Sequence, residues 1–333
     1  MSQRLEQLNR WLTKTLGLPP YAIAPASSDA SFRRYFRITF NGESRIVMDA
    51  PPDREDSRPF VAIGRRLRAI GLNVPEILAE ELEQGFLLLS DLGTQQYLSA
   101  LNDDTVDRLY GDALGALAVL QACGPGSDAL PPYDEGLLRR EMALFGDWYL
   151  GRHLGLALKP NEQAVLEQSF ALLVENALEQ PQVSVHRDYH SRNLMVSAHN
   201  PGILDFQDAV FGPVTYDLVS LLRDCYIAWP RGQVEQWLLG YHDIAVDHGI
   251  LRGRQEERFL RWFDLMGVQR HLKASGIFAR LNHRDGKPGY LDDIPRTLAY
   301  VAEVSARYPE LQPFLHLLEE HVLPTLVTSS GEI

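Results

Sequence analysis

The feature that most constrains the fold is a change of hydrophobic period along the chain. Residues 20–91 follow mainly a strand pattern: apolar and polar residues alternate from Phe36 to Phe40, and Asn41-Gly42 is a strong signal for a two-residue hairpin turn. From about Leu101 onward, apolar residues recur at helical spacing in a series of long segments. The sequence therefore predicts an α+β fold in which a small β-rich part precedes a larger, mainly helical part.

The two parts are predicted to be separate lobes. Residues 1–91 form the N-terminal lobe, in which residues 1–19 supply a leading amphipathic helix, and residues 92–333 form the C-terminal lobe. The segment Leu89-Ser90-Asp91-Leu92-Gly93 is the expected hinge. Because ligands often bind where two lobes meet, we expect the functional site near that hinge.

Composition narrows the function classes. The 333-residue chain carries a formal net charge of -12, which argues against non-specific binding to nucleic acid or to an anionic membrane. The two cysteines, Cys123 and Cys225, have no metal-ligand spacing and make no disulfide framework, so a reducing compartment is expected. No stretch is long and apolar enough to span a membrane. We therefore expect a cytoplasmic protein.

The strongest local signal is the run His186-Arg187-Asp188 with Asn193 five residues after the aspartate, followed by Asp205-Phe206. This spacing matches the catalytic loop His-Arg-Asp-x-x-x-x-Asn and the magnesium-binding Asp-Phe pair of kinases. Phosphoryl transfer needs a carboxylate that accepts the proton of the attacking hydroxyl, and hard oxygen ligands that hold magnesium. Short apolar segments flank Asn193 and Asp205, and we expect two short strands that direct both ligands to one point.

A second copy of the triplet, His283-Arg284-Asp285, serves as an internal control. The fifth residue after Asp285 is Tyr290, and no Asp-Phe pair follows. We interpret this copy as an ordinary polar loop.

With the lobes, the loop and the Asp-Phe pair, the chain resembles the aminoglycoside phosphotransferase and choline kinase superfamily over roughly residues 20–320. The runs Ser28 to Arg37 and His186 to His190 are most similar to the anomeric kinases of cell-wall amino sugars. The resemblance implies a bilobal protein-kinase-like fold that uses ATP and Mg²⁺. It implies phosphorylation of a small-molecule sugar, N-acetylmuramate or N-acetylglucosamine, at the anomeric hydroxyl in peptidoglycan recycling. By the same resemblance, Asp188 is the base, and Asn193 and Asp205 are the metal ligands.

The chain departs from the general kinase pattern at the phosphate-pairing lysine. Met48 stands roughly where that lysine belongs, and the following helix lacks its usual glutamate partner. A lone buried glutamate would be an unpaired charge, so the absence of both members of the pair is physically consistent. We expect Arg33 or Arg34 to replace the lysine. The alternative is an arginine face on an edge strand that is exposed to solvent. The predicted nucleotide-binding residues of the N-terminal lobe are Ser28, Asp29, Ser31, Phe32, Arg33, Arg34, Leu89 and Asp91.

Five further polar residues are weaker candidates. His190, Arg192 and Asp208 lie close to the predicted catalytic residues and are candidates for substrate binding, with loop-bracing hydrogen bonds as the alternative. His186 and Asp217 are predicted to be structural, and Asp217 is expected to hold the catalytic loop through backbone N–H groups.

Two other functions remain open from the sequence. The same fold could phosphorylate an aminoglycoside, choline or another small-molecule hydroxyl, or the chain could be a pseudokinase that only binds nucleotide, as Met48 suggests. The intact Asp188, Asn193 and Asp205 argue against the pseudokinase. For a carboxylate-bearing sugar, the cations considered are Arg192, Arg223 and Lys287.

Overall fold

The computed structural model describes residues 3–28 and 32–329, and the chain divides into two compact units. The first unit comprises Met1–Ala116 and Arg192–Asp208, and the second comprises Leu117–Ser191 and Ala209–Ile333. The predicted assignment of nucleotide binding to residues 1–91 and of catalysis to residues 92–333 stays a prediction.

The first unit contains a sheet, a leading helix and several shorter elements. In chain order these are α1 (Gln3–Arg10), which continues as a π-helical turn over Trp11–Thr15, β1 (Ala22–Ser28), β2 (Arg34–Phe40), β3 (Glu43–Asp49), α2 (Arg58–Ala69), β4 (Ile77–Glu81), β5 (Phe86–Ser90), α3 (Tyr97–Ala100) and most of α4 (Val106–Cys123). Two short strands complete it, β7 (Leu194–Met195) and β8 (Gly202–Ile203).

The five-stranded sheet of the first unit is antiparallel throughout, with the order β1-β2-β3-β5-β4. Asn41 and Gly42 join β2 to β3 with φ angles of 51° and 78°. Two successive positive φ angles are what a type I′ turn requires, and such turns suit asparagine followed by glycine. The predicted hairpin is therefore confirmed.

The leading helix packs on one face of this sheet. Leu8, Trp11 and Leu12 form a buried cluster with sheet residues that include Ile38 and Phe86. The predicted amphipathic helix is confirmed, although its second half has π-helical rather than α-helical hydrogen bonding. Burial of this apolar stripe stabilises the helix, which is too short to be stable alone.

A buried carboxylate at the end of β3 reinforces this attachment. Asp49 is completely buried, and its Oδ1 accepts a hydrogen bond of 2.7 Å from Nε of Arg4 in α1. Arg34 in β2 donates to the other carboxylate oxygen. The two arginines thus neutralise the Asp49 charge from two different elements.

The second unit is mainly helical. Its elements are the end of α4, α5 (Glu135–Leu144) with a π-helical continuation over Phe145–His153, α6 (Pro160–Leu178), β6 (Gln182–Val185), β9 (Val210–Pro213), α7 (Tyr216–Leu222), α8 (Arg231–Asp247), α9 (Glu256–Asp285), α10 (Ile294–Ser305), α11 (Gln312–His321) and α12 (Leu323–Ser329), with 3₁₀ turns at Pro288–Asp293 and Pro309–Leu311. Strands β6 and β9 pair antiparallel.

Helix α9 is the core element of the second unit. Its residues are buried without interruption from Trp262 to Lys273. At Gly276 the helix meets α5 closely, because a Cβ there would lie 2.3 Å from the carbonyl carbon of Leu144. Glycine is required at this contact, since any side chain would force the two helices apart.

Two predictions fail at the level of elements. The triplet His283-Arg284-Asp285 is the last part of α9 rather than a loop, and Gly286 caps the helix with a φ of 65°. Strand β9 was not predicted, because its four residues include Gly212 and Pro213, which weaken a strand pattern.

Within the described part of the chain, no helix combines the length and the apolar character needed to cross a membrane. Neither Cys123 nor Cys225 forms a disulfide.

Candidate active site

Two short strands bring Asn193 and Asp205 together in the first unit. Strands β7 and β8 pair antiparallel, and the backbone N–H of Leu204 donates to the carbonyl oxygen of Asn193 at 2.9 Å, which extends the ladder by one step. Asn193 precedes one strand and Asp205 follows the other, so their side chains meet, with Nδ2 of Asn193 3.4 Å from Oδ2 of Asp205. The predicted pair of short strands is thus present.

The surroundings of Asp205 suit a hard cation. Asp205 has a φ of 64°, which is unusual for a residue other than glycine and is concentrated at functional sites. Its Oδ1 accepts a hydrogen bond of 2.7 Å from Gln207, and Gln207 also donates to Asp208 at 3.2 Å. Carboxylate and amide oxygens are the donors that Mg²⁺ prefers, so Asp205 and Asn193 fit this ion, with Asp208 close by.

The predicted nucleotide-binding residues fall into different environments. Nη2 of Arg33 lies 3.8 Å from Oδ1 of Asp205, whereas Arg34 is paired with Asp49. Phe32 has a highly exposed side chain, and its ring lies under the guanidinium of Arg54 at 4.8 Å. Arg33 is thus the predicted phosphate-binding arginine that lies beside a metal-ligand candidate.

The hinge candidates are held by backbone pairing and by an ion pair. Leu89 is buried in β5 and pairs with Ile46. Asp91 accepts two hydrogen bonds from Arg37, at 2.6 and 3.0 Å, and one from Ser44 at 2.8 Å. Burial raises the pKa of Asp91, but these hydrogen bonds outweigh it and hold the pKa below the ordinary value. Asp29 and Ser31 lie outside the described residues, and Ser28 is described only as the last residue of β1.

Asp188 lies in the second unit, in a loop fixed by a buried carboxylate. Asp217 accepts hydrogen bonds from the backbone N–H groups of His186 at 2.7 Å and Arg187 at 3.0 Å. Burial raises the pKa of Asp217 to about 6. Arg187 has a φ of 76°, so the chain turns sharply just before Asp188. The supporting role predicted for Asp217 depends on these contacts, which are present.

The charge around Asp188 favours its ionised form. Burial raises the pKa of Asp188, but the nearby positive charges of Lys273, Arg270 and Arg187 lower it below the ordinary aspartate value. An ionised carboxylate accepts a hydrogen bond from a hydroxyl and orients it for reaction. Asp188 is therefore already ionised at neutral pH and can accept a proton as a base.

A buried network holds two of these cations. Oε1 of Glu141 in α5 lies 3.0 Å from Nζ of Lys273 in α9 and is also paired with Arg187. Tyr133 donates to the other oxygen of Glu141, and Lys273 donates to the hydroxyl of Tyr216 at 2.9 Å. The Glu141 carboxylate thus holds Arg187 of the predicted catalytic loop and Lys273, whose positive charge lowers the pKa of Asp188.

The remaining candidates have defined positions. The ring of His190 lies 5.3 Å from that of Tyr226, and burial lowers the pKa of His190 to about 4, so this imidazole is neutral near pH 7. His186 is buried, and its Nδ1 accepts the backbone N–H of Asp188 at 3.3 Å. The carbonyl of Arg192 accepts from Gln96 at 2.7 Å within the first unit.

Sequence reasoning missed four residues of this region. Glu141, Arg270 and Lys273 are charged positions within helical patterns, where charge is normally assigned to an exposed face. Asp224 is buried and accepts backbone hydrogen bonds of 2.9 Å from both Ser191 and Tyr226. A usable signal was present for α9, because Arg270 and Lys273 lie between the apolar segments Leu265 to Val268 and Ile277 to Ala279.

Comparison with known proteins decides the family. The family model described as "Phosphotransferase enzyme family" matches residues 22–263, well over half of the chain. The chain belongs to this family. The family resemblance identified from the catalytic motif and the expectation that the chain is a kinase enzyme are confirmed.

Curated relatives match almost the whole chain. A protein of Pseudomonas putida named N-acetylmuramate/N-acetylglucosamine kinase is 51% identical over 327 residues, which cover 95% of this chain and 96% of the relative. A Neisseria meningitidis protein of the same name is 41% identical over 96% of both chains. The similarity therefore includes both compact units.

Solved structures agree on the fold. The choline kinase LicA from Streptococcus pneumoniae has a TM-score of 0.64 at 11% identity, covering 90% of this chain and all of that one. The ADP-bound aminoglycoside phosphotransferase APH(2'')-Ib has a TM-score of 0.59 at 16% identity, with 91% and 98% covered. The predicted α+β, protein-kinase-like fold is confirmed.

Proposed function

We propose that this protein is an ATP-dependent kinase that phosphorylates the C1 hydroxyl of N-acetylmuramate, N-acetylglucosamine or both. The observation that carries the proposal is the 51% identity, over 95% of the chain, to a relative named for these two sugars. Within this match Asp188, Asn193 and Asp205 are all present. Such an activity fits the reuse of cell-wall amino sugars in peptidoglycan recycling, in the cytoplasm.

The proposed roles follow from the chemistry of each side chain. Asp188, kept ionised by Lys273, Arg270 and Arg187, accepts the proton of the anomeric hydroxyl. The anomeric hydroxyl is more acidic than other sugar hydroxyls, so a carboxylate with a low pKa is a sufficient base. Asn193 and Asp205 would hold Mg²⁺, and the bound ion would neutralise part of the triphosphate charge.

Arg33 takes the place of the missing lysine in this proposal. The side chain of Met48 is completely buried and cannot pair with phosphate. Arg33 lies 3.8 Å from Asp205, and its guanidinium can contact two phosphate oxygens together. Arg34 is the weaker candidate because it neutralises Asp49.

The alternatives differ in the acceptor. The choline kinase LicA and the aminoglycoside phosphotransferase APH(2'')-IIIa share the fold, but their structures are 11% and 18% identical to this chain, whereas a relative named for amino sugars is 51% identical. The pseudokinase hypothesis is disfavoured because the base and both metal-ligand candidates are intact.

An ATP-consumption screen of the purified protein tests the proposal. The panel contains N-acetylmuramate, N-acetylglucosamine, an aminoglycoside and choline, each with and without Mg²⁺. Methyl glycosides of the two sugars are matched controls, because their C1 oxygen has no proton to lose. We expect Mg²⁺-dependent turnover with the free sugars alone. Turnover with an aminoglycoside or choline and none with the free sugars would refute the proposal.

A further inference from the structure

Among the described residues of the second unit, three Lys and Arg side chains are buried, and they differ in how their charge is balanced. Arg223 makes two hydrogen bonds of 3.1 Å to Glu303, and Lys273 lies 3.0 Å from Glu141. Arg270 is only 6% exposed, yet among the described residues no carboxylate lies within ion-pair distance of it. Among the described residues its one hydrogen-bond acceptor is the Cys225 sulfur, which lies 3.5 Å from Nη1 and is a weak acceptor.

A buried guanidinium with so few partners is unfavourable for folding. Removing a charge from water costs free energy that only close acceptors recover. Burial lowers the pKa of Arg270, but the surrounding acidic groups, including Asp188 and Asp224, raise it overall, so the side chain stays charged. A retained charge without a matching carboxylate indicates a ligand site.

The position of Arg270 in α9 also suits a ligand site. Helix α9 is buried from Trp262 to Lys273, and the next positions on the face of Arg270, Ala274 and Ile277, are partly exposed. The cation thus lies at the point where the helix surface begins to open. The side chain at position 274 is a small alanine.

Aromatic rings lie along the same region of the second unit. The ring of Tyr226 lies 5.3 Å from that of His190 and 6.2 Å from that of Phe278, and Phe278 stacks on Tyr290 at 5.7 Å. Aromatic faces suit sugar rings and acyl groups, whereas a charged substituent needs a cation. Of the buried Lys and Arg side chains among the described residues of this unit, Arg270 is the one that forms no ion pair.

We propose that Arg270 binds the carboxylate of the lactyl ether that distinguishes N-acetylmuramate from N-acetylglucosamine. This assignment rests on the proposed function and adds a determinant of preference between the two sugars. The planar guanidinium matches a carboxylate with two parallel hydrogen bonds. Of the cations considered from sequence, Arg223 is less suitable because Glu303 already occupies its guanidinium.

The test compares the two sugars as substrates of Arg270→Met. We expect kcat/KM for N-acetylmuramate to fall by about 10- to 100-fold, the range for a hydrogen bond to a charged group. Because Arg270 also helps to keep Asp188 ionised, the value for N-acetylglucosamine should fall too, but by less, so the ratio of the two kcat/KM values carries the test. Circular dichroism reports whether the variant is folded. The kcat/KM of Arg270→Lys for N-acetylmuramate should fall less, since lysine keeps the positive charge. Arg261→Met, on the same helix but in an exposed ion pair with Glu310 at 3.0 Å, is the control and should not change the ratio.

A second arm uses the wild-type protein alone and does not depend on any variant folding. The methyl ester of N-acetylmuramate keeps the lactyl ether without its charge, and we expect its kcat/KM to fall by a similar factor. Equal losses for both sugars in Arg270→Met, or an ester as good as the acid, would overturn the assignment of Arg270 and leave the proposed function intact. A wild-type protein that phosphorylates neither sugar would overturn the proposed function and this assignment with it.

Discussion

Asp188 combines partial burial with a low pKa, because burial raises the pKa of this carboxyl and the nearby cations more than reverse that effect. We predict that Asp188→Asn lowers kcat by about 10²- to 10⁴-fold, the usual contribution of a general base, while ATP binding stays nearly unchanged. Steady-state kinetics and calorimetric titration of a non-hydrolysable ATP analogue measure the two quantities.

The chain supplies its own control for this variant. Asp285 ends the second His-Arg-Asp triplet and is paired with Arg284 at the end of α9, so Asp285→Asn should leave turnover unchanged. If Asp188→Asn kept more than about a tenth of the wild-type rate, the assignment of Asp188 as base would be wrong.

The two adjacent arginines before β2 are predicted to behave differently. Arg33→Met should raise the KM for ATP by about tenfold or more, because Arg33 lies 3.8 Å from Asp205. Arg34→Met should lower the free energy of unfolding instead, since it removes a partner of the buried Asp49. Kinetics at varied ATP concentration and urea unfolding separate these effects.

The same experiment includes a test of the lysine position. Met48→Ala should reduce stability through lost core packing and leave the KM for ATP unchanged. A selective loss of ATP affinity in this variant, with neither arginine affecting it, would contradict the replacement of the lysine by Arg33.

Among single residues, those that a short local motif specifies could be predicted from the sequence. Asp188 and Asn193 lie in one loop, and Asp205 lies 12 residues after Asn193, so their spacing alone predicts a kinase-like site. Arg270 and Lys273 act on Asp188 from a helix far along the chain, and only tertiary packing relates such positions.

At the scale of elements, Glu141 joins α5, α9 and the catalytic loop. Burial raises the pKa of Glu141, but Lys273 and Arg187 lower it below the ordinary 4.5. A carboxyl whose pKa is depressed on folding stabilises the protein above its unfolded pKa, and this contribution is lost as the pH falls through 4.5 and lower.

We predict that Glu141→Gln lowers the free energy of unfolding at pH 7 by about 2–4 kcal/mol, because it leaves buried cations without their carboxylate. The difference from the wild type should shrink as the pH falls below the ordinary glutamate pKa. Urea unfolding at several pH values measures both effects.

Glu167 provides the control for this prediction. It forms an exposed ion pair with Arg139 at 3.4 Å, and Glu167→Gln should cost no more than about 1 kcal/mol at any pH. A Glu141→Gln difference that stays constant as the pH is lowered would show that charge is not its origin.

Most elements were predictable because their signals are local. The hairpin at Asn41-Gly42 follows from turn chemistry, and α2 begins where Pro59 places it. The prediction of a loop at His283-Arg284-Asp285 was wrong because a polar triplet read alone looks like a loop, although apolar residues at helical spacing continue as far as Leu281. The π-helical stretches after α1 and α5 have no sequence pattern that distinguishes them from α-helix.

At the scale of the whole molecule, the predicted catalytic residues are divided between the two compact units. Asp188 belongs to the second unit, whereas Asn193 and Asp205 belong to the first. The chain links them directly, since Asn193 follows Asp188 by five residues. The acidic balance of the chain, with a net charge of -12, also suits a small-molecule enzyme better than a protein that binds polyanions.

Phosphorus NMR of the sugar product tests the central claim most directly. The proposed reaction breaks the bond between phosphorus and the leaving oxygen and never the C1–O1 bond, so the product should be a sugar 1-phosphate with the anomeric configuration of the bound substrate. We expect a phosphorus signal coupled to the single anomeric proton of N-acetylmuramate or N-acetylglucosamine. A signal coupled instead to the two methylene protons of a 6-phosphate would contradict the account.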